Sequence, residues 1–226
     1  MTRGVLVTGG SRGIGAAIAR AFRDLGDGVV ALSSADVDLT DPDAIARVVD
    51  SAADTLGGID VLVNNAGLVE LGSLADKTYP EWQSLWRRTF AVNVFGAADM
   101  SYCVARHMVE RGARGRIVNV GSRGAFRGEP DMPAYGASKA ALHSMGQSLA
   151  VALAPHGIAV ASVAPGFVAT DRVADLVTDD VRAQSPFGRV ATPEEVAAAV
   201  VYLASPEAEW ASGAVLDLNG ASYLRT

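Results

Sequence analysis

The chain has 226 residues, of which 50% are hydrophobic and 19% are charged, so it can bury a large core and is not expected to be disordered. Its 25 acidic and 19 basic residues give a net charge of −6, which argues against a nucleic-acid-binding protein. No apolar run approaches the ~18 residues of a membrane span, no signal-peptide core is apparent, and the single cysteine cannot form an intramolecular disulfide. We expect one cytoplasmic domain, residues 1–226.

Short apolar segments rich in β-branched residues alternate with segments of helical periodicity. The predicted strands are residues 4–8, 29–32, 59–63, 116–120, 158–163 and 214–218. The predicted helices are residues 16–25, a helix capped by Asp41, residues 80–98 with a possible continuation towards 109, residues 135–153 and residues 193–204. This alternation predicts an α/β fold: a single doubly wound, Rossmann-type parallel sheet with helices on both faces.

The connection after the second strand is unusually short. Only residues 33–35 separate that strand from the extended-looking residues 36–39. A crossover between parallel strands needs a dozen or more residues, so a regular third strand cannot follow there. We expect the third edge strand to be shortened or missing, with an extended segment along the edge instead.

Four glycines lie in the turn between the first strand and the first helix, and three of them, Gly9, Gly13 and Gly15, follow the spacing Gly-x3-Gly-x-Gly. Glycines permit a tight turn and let a pyrophosphate approach the backbone, where the helix N-terminus offers N–H groups and a positive dipole end. The spacing differs from G-x-G-x-x-G, so an ordinary glycine-rich turn is the alternative.

Further motifs follow in a fixed order along residues 8–170. They are Thr8-Gly9-x3-Gly13-x-Gly15, Asn64-Asn65-Ala66-Gly67, Asn93, Ser122 thirteen residues before Tyr135, Tyr135-x3-Lys139, and Pro165-Gly166 after a strand. The ordered set resembles the short-chain dehydrogenase/reductase family, and within it most closely the 3-oxoacyl-carrier-protein reductases. The resemblance implies hydride transfer between a nicotinamide cofactor and a ketone or secondary alcohol.

The resemblance also implies which residues contact the cofactor. In the glycine turn these are Gly9, Ser11, Gly13, Ile14 and Gly15, facing the pyrophosphate. The others are Asp38 for the adenine amino group, Asn65, Ala66 and Gly67 for the adenosine ribose, Pro165 and Gly166 for the nicotinamide, and Thr170 for the carboxamide or diphosphate.

The end of the second strand bears on the choice between NADP and NAD. An acid there would accept from the ribose 2′-OH of NAD, but Ser33 and Ser34 occupy the position and are uncharged. Arg12 in the glycine turn can donate to a 2′-phosphate, and the resemblance implies the same role. Asp36 is the opposing observation. We expect NADP rather than NAD.

Tyr135 and Lys139 are four residues apart on a predicted helix, so both side chains leave the same face. A free tyrosine has a pKa near ~10, and a neighbouring ammonium and a positive nicotinamide ring favour its phenolate. Tyr135 can then exchange a proton with the substrate oxygen. Ser122 follows a strand at the carboxyl edge of the sheet, where its hydroxyl would hold that oxygen. By resemblance, Asn93 holds a water in a proton relay behind Lys139; a helix-interior amide satisfied by backbone is the alternative.

Two other functions remain open at this point. One is an acyl-carrier-protein substrate, although Ala113 and His156 stand where such enzymes often carry arginine. The other is a nucleotide-sensing protein without catalysis, against which the complete set of Asn93, Ser122, Tyr135 and Lys139 argues. We expect a small-molecule carbonyl or alcohol substrate, no metal site, no nucleic-acid or membrane partner, and a homotetramer.

Overall fold

The computed structural model describes residues 2–225, except for the side chains of residues 172 and 173. Six parallel strands form one sheet in the order β2-β1-β3-β4-β5-β6. The strands are β1 Gly4–Thr8, β2 Gly28–Leu32, β3 Val61–Asn64, β4 Arg116–Val120, β5 Ala159–Pro165 and β6 Val215–Leu218. The helices are α1 Gly13–Asp24, α2 Pro42–Leu56, α3 Tyr79–Phe90, α4 Ala97–Glu110, α5 Pro133–Leu153, α6 Asp179–Ala183 and α7 Pro193–Leu203.

The alternating side chains of the strands form a core on each face of the sheet. Val5 and Val7 of β1 face a cluster that includes α1 and α7, with Phe22 and Val200 fully buried. Leu6, between them, faces the opposite cluster, which α2, α4 and α5 cover. Because both faces are covered, the strands are nearly continuous hydrophobic runs, as parallel sheets require. The predicted doubly wound α/β architecture is confirmed.

The direction of winding changes between β1 and β3, which pair side by side in the centre of the sheet. A crevice outside the carboxyl ends of the strands therefore opens between the loops that follow them. The glycine turn follows β1, residues 65–67 follow β3, and Ser122 follows β4. The topology thus gathers the predicted motifs at one edge of the sheet.

Within the described residues, the sheet ends at β2, which lies beyond β1. A third edge strand is therefore missing there, as the short connection predicted. The expected extended segment was wrong, because residues 33–41 form hydrogen-bonded turns. Asp36 and Val37 both donate from their backbone N–H to the carbonyl of Ser33, and Val37 is buried in the core. Burial of Val37 and capping of α2 by Asp41, which accepts from Asp43 and Ala44 N–H, leave no room for a strand.

The long helix predicted from residue 80 does continue to residue 110, but not as one regular helix. A π-helical turn, Ala91–Gly96, separates α3 from α4. Such a turn accommodates one extra residue in a helix, and Asn93 lies buried within it.

No helix in residues 2–225 is both long and apolar enough to cross a membrane. Met1 and Thr226, which belong to the predicted domain, lie outside the described residues.

Candidate active site

One pocket lies at the carboxyl edge of the sheet and brings together most of the predicted site residues. The predicted residues that line it are Arg12, Gly13, Ile14, Asn65, Gly67, Ser122, Tyr135, Lys139, Pro165, Gly166 and Thr170. The same pocket is also lined by Val69, Arg123, Glu129, Met132 and Phe167. Residues from five separate loops and helices therefore face one cavity.

The remaining predicted residues do not line this pocket. They are Gly9, Ser11, Gly15, Ser33, Ser34, Asp38, Ala66 and Asn93. Gly9 and Gly15 determine the conformation of the turn without lining the pocket. Gly9 has a φ of +64°, and a side chain on Gly15 would begin 2.1 Å from the Gly9 carbonyl oxygen. Their role is to let the turn pass close to residues 65 and 66.

The first turn of α1 faces the pocket with its backbone N–H groups. Arg12 is the N-cap residue, and no described side chain caps the helix there. Gly13 has a φ of +53°, and a side chain on it would begin 3.2 Å from the methyl group of Thr170. This is a cradle of N–H groups at a positive dipole end, which fits an anionic pyrophosphate.

Thr8 joins the glycine turn to the end of β3. Its hydroxyl oxygen accepts from the backbone N–H groups of Asn65 at 3.1 Å and Ala66 at 3.0 Å. The Asn65 amide donates to the carbonyls of Thr8 at 2.9 Å and Gly9 at 3.0 Å. Asn65 and Ala66 therefore hold the two loops together, and Asn65 also lines the pocket.

Lys139 and Tyr135 lie on the first two turns of α5. Lys139 is 3% exposed, and its Nζ donates to the Val120 carbonyl at 2.9 Å and lies 5.7 Å from the centre of the Tyr135 ring. A buried ammonium is costly unless it is paired. The Val120 carbonyl, at the end of β4, therefore fixes the position of the Lys139 charge. Ser122, two residues after that carbonyl, accepts from the Gly124 N–H at 3.0 Å.

Asn93 lies behind the pocket rather than in it. Its Oδ1 accepts from the Leu68 N–H at 2.7 Å, and its Nδ2 donates to the Leu68 carbonyl and to the Ser138 hydroxyl, both at 3.0 Å. The side-chain amide is thus engaged by the loop after β3 and by α5. A side chain on Gly67 would begin 3.3 Å from Lys139 Nζ and 3.5 Å from Asn93 Oδ1, so both side chains lie close to the backbone there.

An acid, Asp36, lies near the end of β2, although it belongs to the turn that follows the strand. Asp36 Oδ2 accepts from both the N–H and the hydroxyl of Ser33, each at 2.7 Å, and these bonds lower the pKa of the Asp36 carboxyl. Ser33 therefore donates its hydroxyl to Asp36 rather than offering it to a phosphate. Asp38 is exposed, and Thr40 donates to it from N–H and hydroxyl, which lowers the pKa of Asp38.

His143 lies one helical turn after Lys139 on α5 and was not predicted to matter. It is 3% exposed, stacks on Phe126 at 5.3 Å, and closely approaches Gly121, where a side chain would begin 2.1 Å from the imidazole ring. Among the described residues neither ring nitrogen has a hydrogen-bond partner of ordinary geometry. Burial, together with the charge of Lys139, lowers the pKa of His143 to about 4. Its i, i+4 spacing from Lys139 was the sequence signal that could have identified it.

The residues present fit a nicotinamide dinucleotide. The uncapped end of α1 suits the pyrophosphate, and the pocket continues from there past Asn65 and Gly67 to Tyr135 and Lys139. Among the described residues, no cluster of histidine, cysteine, aspartate or glutamate has the arrangement of a metal site.

Comparison with known proteins defines the class. A family model described as Enoyl-(Acyl carrier protein) reductase matches residues 30–220. The 3-oxoacyl-[acyl-carrier-protein] reductase FabG of Vibrio cholerae is 35% identical over 97% of this chain and 96% of its own. The ligand-free aldohexose dehydrogenase of Thermoplasma acidophilum superposes with a TM-score of 0.91 at 32% identity, covering 100% of this chain and 95% of that one. The protein ElxO, solved with NADP bound, gives 0.89 at 26%, covering 98% and 99%.

The chain belongs to the short-chain dehydrogenase/reductase family. It is an oxidoreductase that transfers a hydride between a nicotinamide cofactor and a ketone or secondary alcohol.

Proposed function

We propose that the enzyme interconverts a small-molecule ketone and the corresponding secondary alcohol with NADP(H), using Ser122, Tyr135 and Lys139 at the reacting centre. One observation carries the proposal: these three side chains line the same cavity as the uncapped N-terminus of α1. An acid–base pair beside an anion cradle is the arrangement that a bound dinucleotide and a carbonyl substrate need.

When bound, the nicotinamide ring supplies or accepts the hydride. Tyr135 donates a proton to the substrate oxygen in the direction of reduction and removes it in the direction of oxidation. The buried ammonium of Lys139, 5.7 Å from the Tyr135 ring, favours the phenolate and holds ribose hydroxyls. Ser122 donates its hydroxyl to the same substrate oxygen and stabilises the charge that develops there.

Asn93 acts through its neighbours in this proposal. By fastening Leu68 to α5 through Ser138, it keeps the loop after β3 against the helix that carries Tyr135 and Lys139. Ser138 in turn donates to the Tyr135 carbonyl at 2.7 Å. Ser138 therefore connects Asn93 to the turn of α5 that carries Tyr135. A water held behind Lys139 would complete a path for protons to solvent.

NADP is the cofactor we propose. Arg12 lies at the pocket and carries a full positive charge, and the similar ElxO was solved with NADP. Asp36 opposes this choice, since its carboxylate lies beside Ser33 at the end of β2. We assign the adenine and ribose contacts to the loop of residues 33–38 and to Gly67, and the nicotinamide contacts to Pro165, Gly166 and Thr170.

A substrate carried by acyl carrier protein is the second candidate, favoured by the match to FabG at 35% identity. The arginines near the expected docking positions are already paired: Arg111 donates to Asp60 at 2.5 Å and Arg114 to Glu209 at 2.7 Å. Both precede β4, at the edge of the sheet opposite the pocket of the same chain. A free small molecule is therefore the substrate we favour.

The test is NADPH oxidation, followed by absorbance, against a panel of diketones, β-ketoesters and acyl-carrier-protein-linked 3-oxoacyl groups. We expect turnover with free diketones or ketoesters. Turnover confined to the carrier-linked substrates would support the second candidate. Tight NADPH binding without turnover on any carbonyl, or of any alcohol with NADP, would instead indicate a nucleotide-sensing protein.

We further propose a cytoplasmic homotetramer in which residues 1–226 form a single domain. Large apolar side chains are exposed on two surfaces: Phe95 and Tyr102 near α4, and Trp210, which is 100% exposed, with Leu224 near β6. A lone cysteine in 226 residues is typical of a reducing compartment. Light scattering should give four times 23.3 kDa, about 93 kDa. A stable monomer at micromolar concentration would contradict the tetramer.

A further inference from the structure

Arg123 immediately follows Ser122 and is buried at the wall of the active-site pocket. Only 3% of it is exposed, and its guanidinium lies 5.2 Å from the centre of the Phe167 ring. Burying a charge costs several kcal/mol unless it is paired and hydrogen-bonded. Among the described residues, the carboxylate that pairs with Arg123 is Glu129, which also lies 4.0 Å from Arg127 and so is shared between two cations. Because burial of the Arg123 guanidinium is costly and Arg123 lies next to Ser122, we expect this arginine to have a role at the site.

The guanidinium of Arg123 joins three segments that are distant in sequence. Its Nε donates to Glu129 at 3.3 Å, in the loop that leads into α5. Its Nη2 donates to the Gln184 side chain at 2.6 Å, immediately after α6. Its Nη1 donates to the Ser222 hydroxyl at 2.5 Å, in the C-terminal segment after β6. The planar fork of arginine suits three acceptors in different directions, whereas a lysine ammonium does not.

Arg127 reinforces two of these contacts. Its Nη1 lies 3.2 Å from the same Gln184 oxygen and 3.3 Å from the Ser222 carbonyl. The C-terminal segment also contacts the Ser122 loop at a second place, because Arg225 lies 4.2 Å over the ring of Phe126. The loop after β4 is thus held by Gln184, which follows α6, and by Ser222 and Arg225 of the C-terminal segment.

The backbone of Arg123 belongs to the turn that orients Ser122. Residues Arg123–Ala125 form a single 3₁₀ turn, and within it the Gly124 N–H donates to the Ser122 hydroxyl oxygen at 3.0 Å. A serine hydroxyl that accepts from a fixed N–H has its own proton left to donate. The direction of that proton therefore depends on where the turn lies, and the three anchors of Arg123 determine where it lies.

We propose that Arg123 is a positioning residue: it holds the Ser122 hydroxyl in its donating orientation by tying the Ser122 turn to Gln184 and Ser222. The inference rests on the proposed function of Ser122 as the donor to the substrate oxygen. It implies that the segment after α6 and the C-terminal segment must both be in place before Ser122 is fully effective.

The experiment is a double-mutant cycle between Arg123→Met and Ser122→Ala, measured with NADPH and the best carbonyl substrate of the panel. We expect Arg123→Met to lower kcat about 30-fold with KM changed less than about 3-fold, since a misplaced donor of this kind costs up to about 100-fold. In the Ser122→Ala background the same change should lower kcat less than about 3-fold. Equal losses in both backgrounds would overturn the inference. Normal turnover of Ser122→Ala itself would instead overturn the proposed role of Ser122.

Two further variants separate positioning from folding. Arg116 is a matched control, because it is 7% exposed, donates to Glu209 at 3.1 Å, and lies at the other end of β4. Arg116→Met should lower the melting temperature but leave kcat within about 2-fold. If Arg123→Met does not fold, the pair Gln184→Met with Ser222→Ala keeps the arginine and removes two acceptors. That pair should lower kcat about 10-fold in the parent background and not with Ser122→Ala; an unchanged kcat would overturn the inference.

Discussion

The two ends of the proposed dinucleotide site differ in how their side chains are held. At the reaction end, the Lys139 ammonium is buried and bonded to the Val120 carbonyl at 2.9 Å, inside a helix that spans 21 residues. At the other end, Ser33, Ser34 and Asp36 lie in a partly exposed turn, and the contact between Ser33 and Asp36 spans only three residues. Buried, long-range contacts leave one arrangement, whereas an exposed local turn can rearrange. The chemistry should therefore resist change, and the cofactor preference should be easy to shift.

The largest effect should follow from a change at the reaction end. Tyr135→Phe removes the proposed proton donor and keeps the ring, so turnover should fall at least about 1,000-fold, within the range for loss of a general acid. NADPH affinity, measured by fluorescence, should stay within about 2-fold because the ribose contacts remain. Near-normal turnover in this variant would remove Tyr135 from the mechanism.

Lys139→Ala tests a second residue at the reaction end of the site. It should weaken both NADPH binding and turnover, because the ammonium is proposed to serve the phenol and the ribose. A loss of turnover with unchanged NADPH affinity would assign Lys139 to the phenol alone.

A second prediction concerns the buried imidazole behind the Ser122 loop. His143 is neutral in the fold, with a pKa of about 4 against 6.5 for an ordinary histidine, mainly because burial disfavours its charged form. Below pH 6.5 the unfolded chain binds a proton that the folded chain does not, so stability falls as the pH falls towards 4. At about 1.4 kcal/mol for each pH unit, the loss approaches 3 kcal/mol.

His143→Leu removes the titrating group and should flatten this dependence, as measured by urea unfolding at pH 7, 6, 5 and 4.5. Other charges face His143, namely Lys139, Arg225 and Asp217, and all three remain in the variant. The exposed His156 supplies the control, because His156→Gln should leave the slope of the parent unchanged. The same slope in His143→Leu and parent would show that another group controls the acid sensitivity.

The smallest effect belongs to the exposed end. The hydrogen bond proposed from Arg12 to a 2′-phosphate is charge-assisted and would be worth roughly 1.5–3 kcal/mol, where about 1.4 kcal/mol is tenfold in affinity. NADPH should bind at least about 10-fold more tightly than NADH, and Arg12→Ala should remove most of that preference. Titration of both cofactors by fluorescence measures it.

Asp36→Ala is the opposing variant. It frees the Ser33 hydroxyl and removes a negative charge, so it should raise the NADPH preference further. Equal or tighter binding of NADH by the parent, with Asp36→Ala reversing the order, would show that Asp36 and not Arg12 governs the choice.

Much of the reaction end could be predicted because its signals are local. The i, i+4 spacing of Tyr135 and Lys139 places both on one face of any helix, and the strand before Ser122 brings it to the carboxyl edge. Both residues, with Ser122, line one pocket as expected.

The contacts that were not predicted join residues far apart in sequence or depend on small local energies. Arg123 reaches Gln184 and Ser222 across 61 and 99 residues, and no periodicity connects such positions. Residues 36–39 were expected to be extended, because the competition between a strand edge and a turn closed by Asp36 is not visible in the apolar pattern. The π-helical turn was missed since one extra residue barely alters helical periodicity.

That π-helical turn has an evolutionary consequence. A residue deleted anywhere in Ala91–Gly96 would remove the extra residue that the turn accommodates and restore a regular helix, while α3 and α4 on either side would keep their buried faces. The Asn93 amide would then no longer lie against Leu68, even if every amino acid type were kept. Related chains should therefore vary freely in length between β2 and α2, where the connection is an exposed turn, and hold a constant count of residues between α3 and α4. We therefore expect the number of residues in this helix to matter as much as their identity.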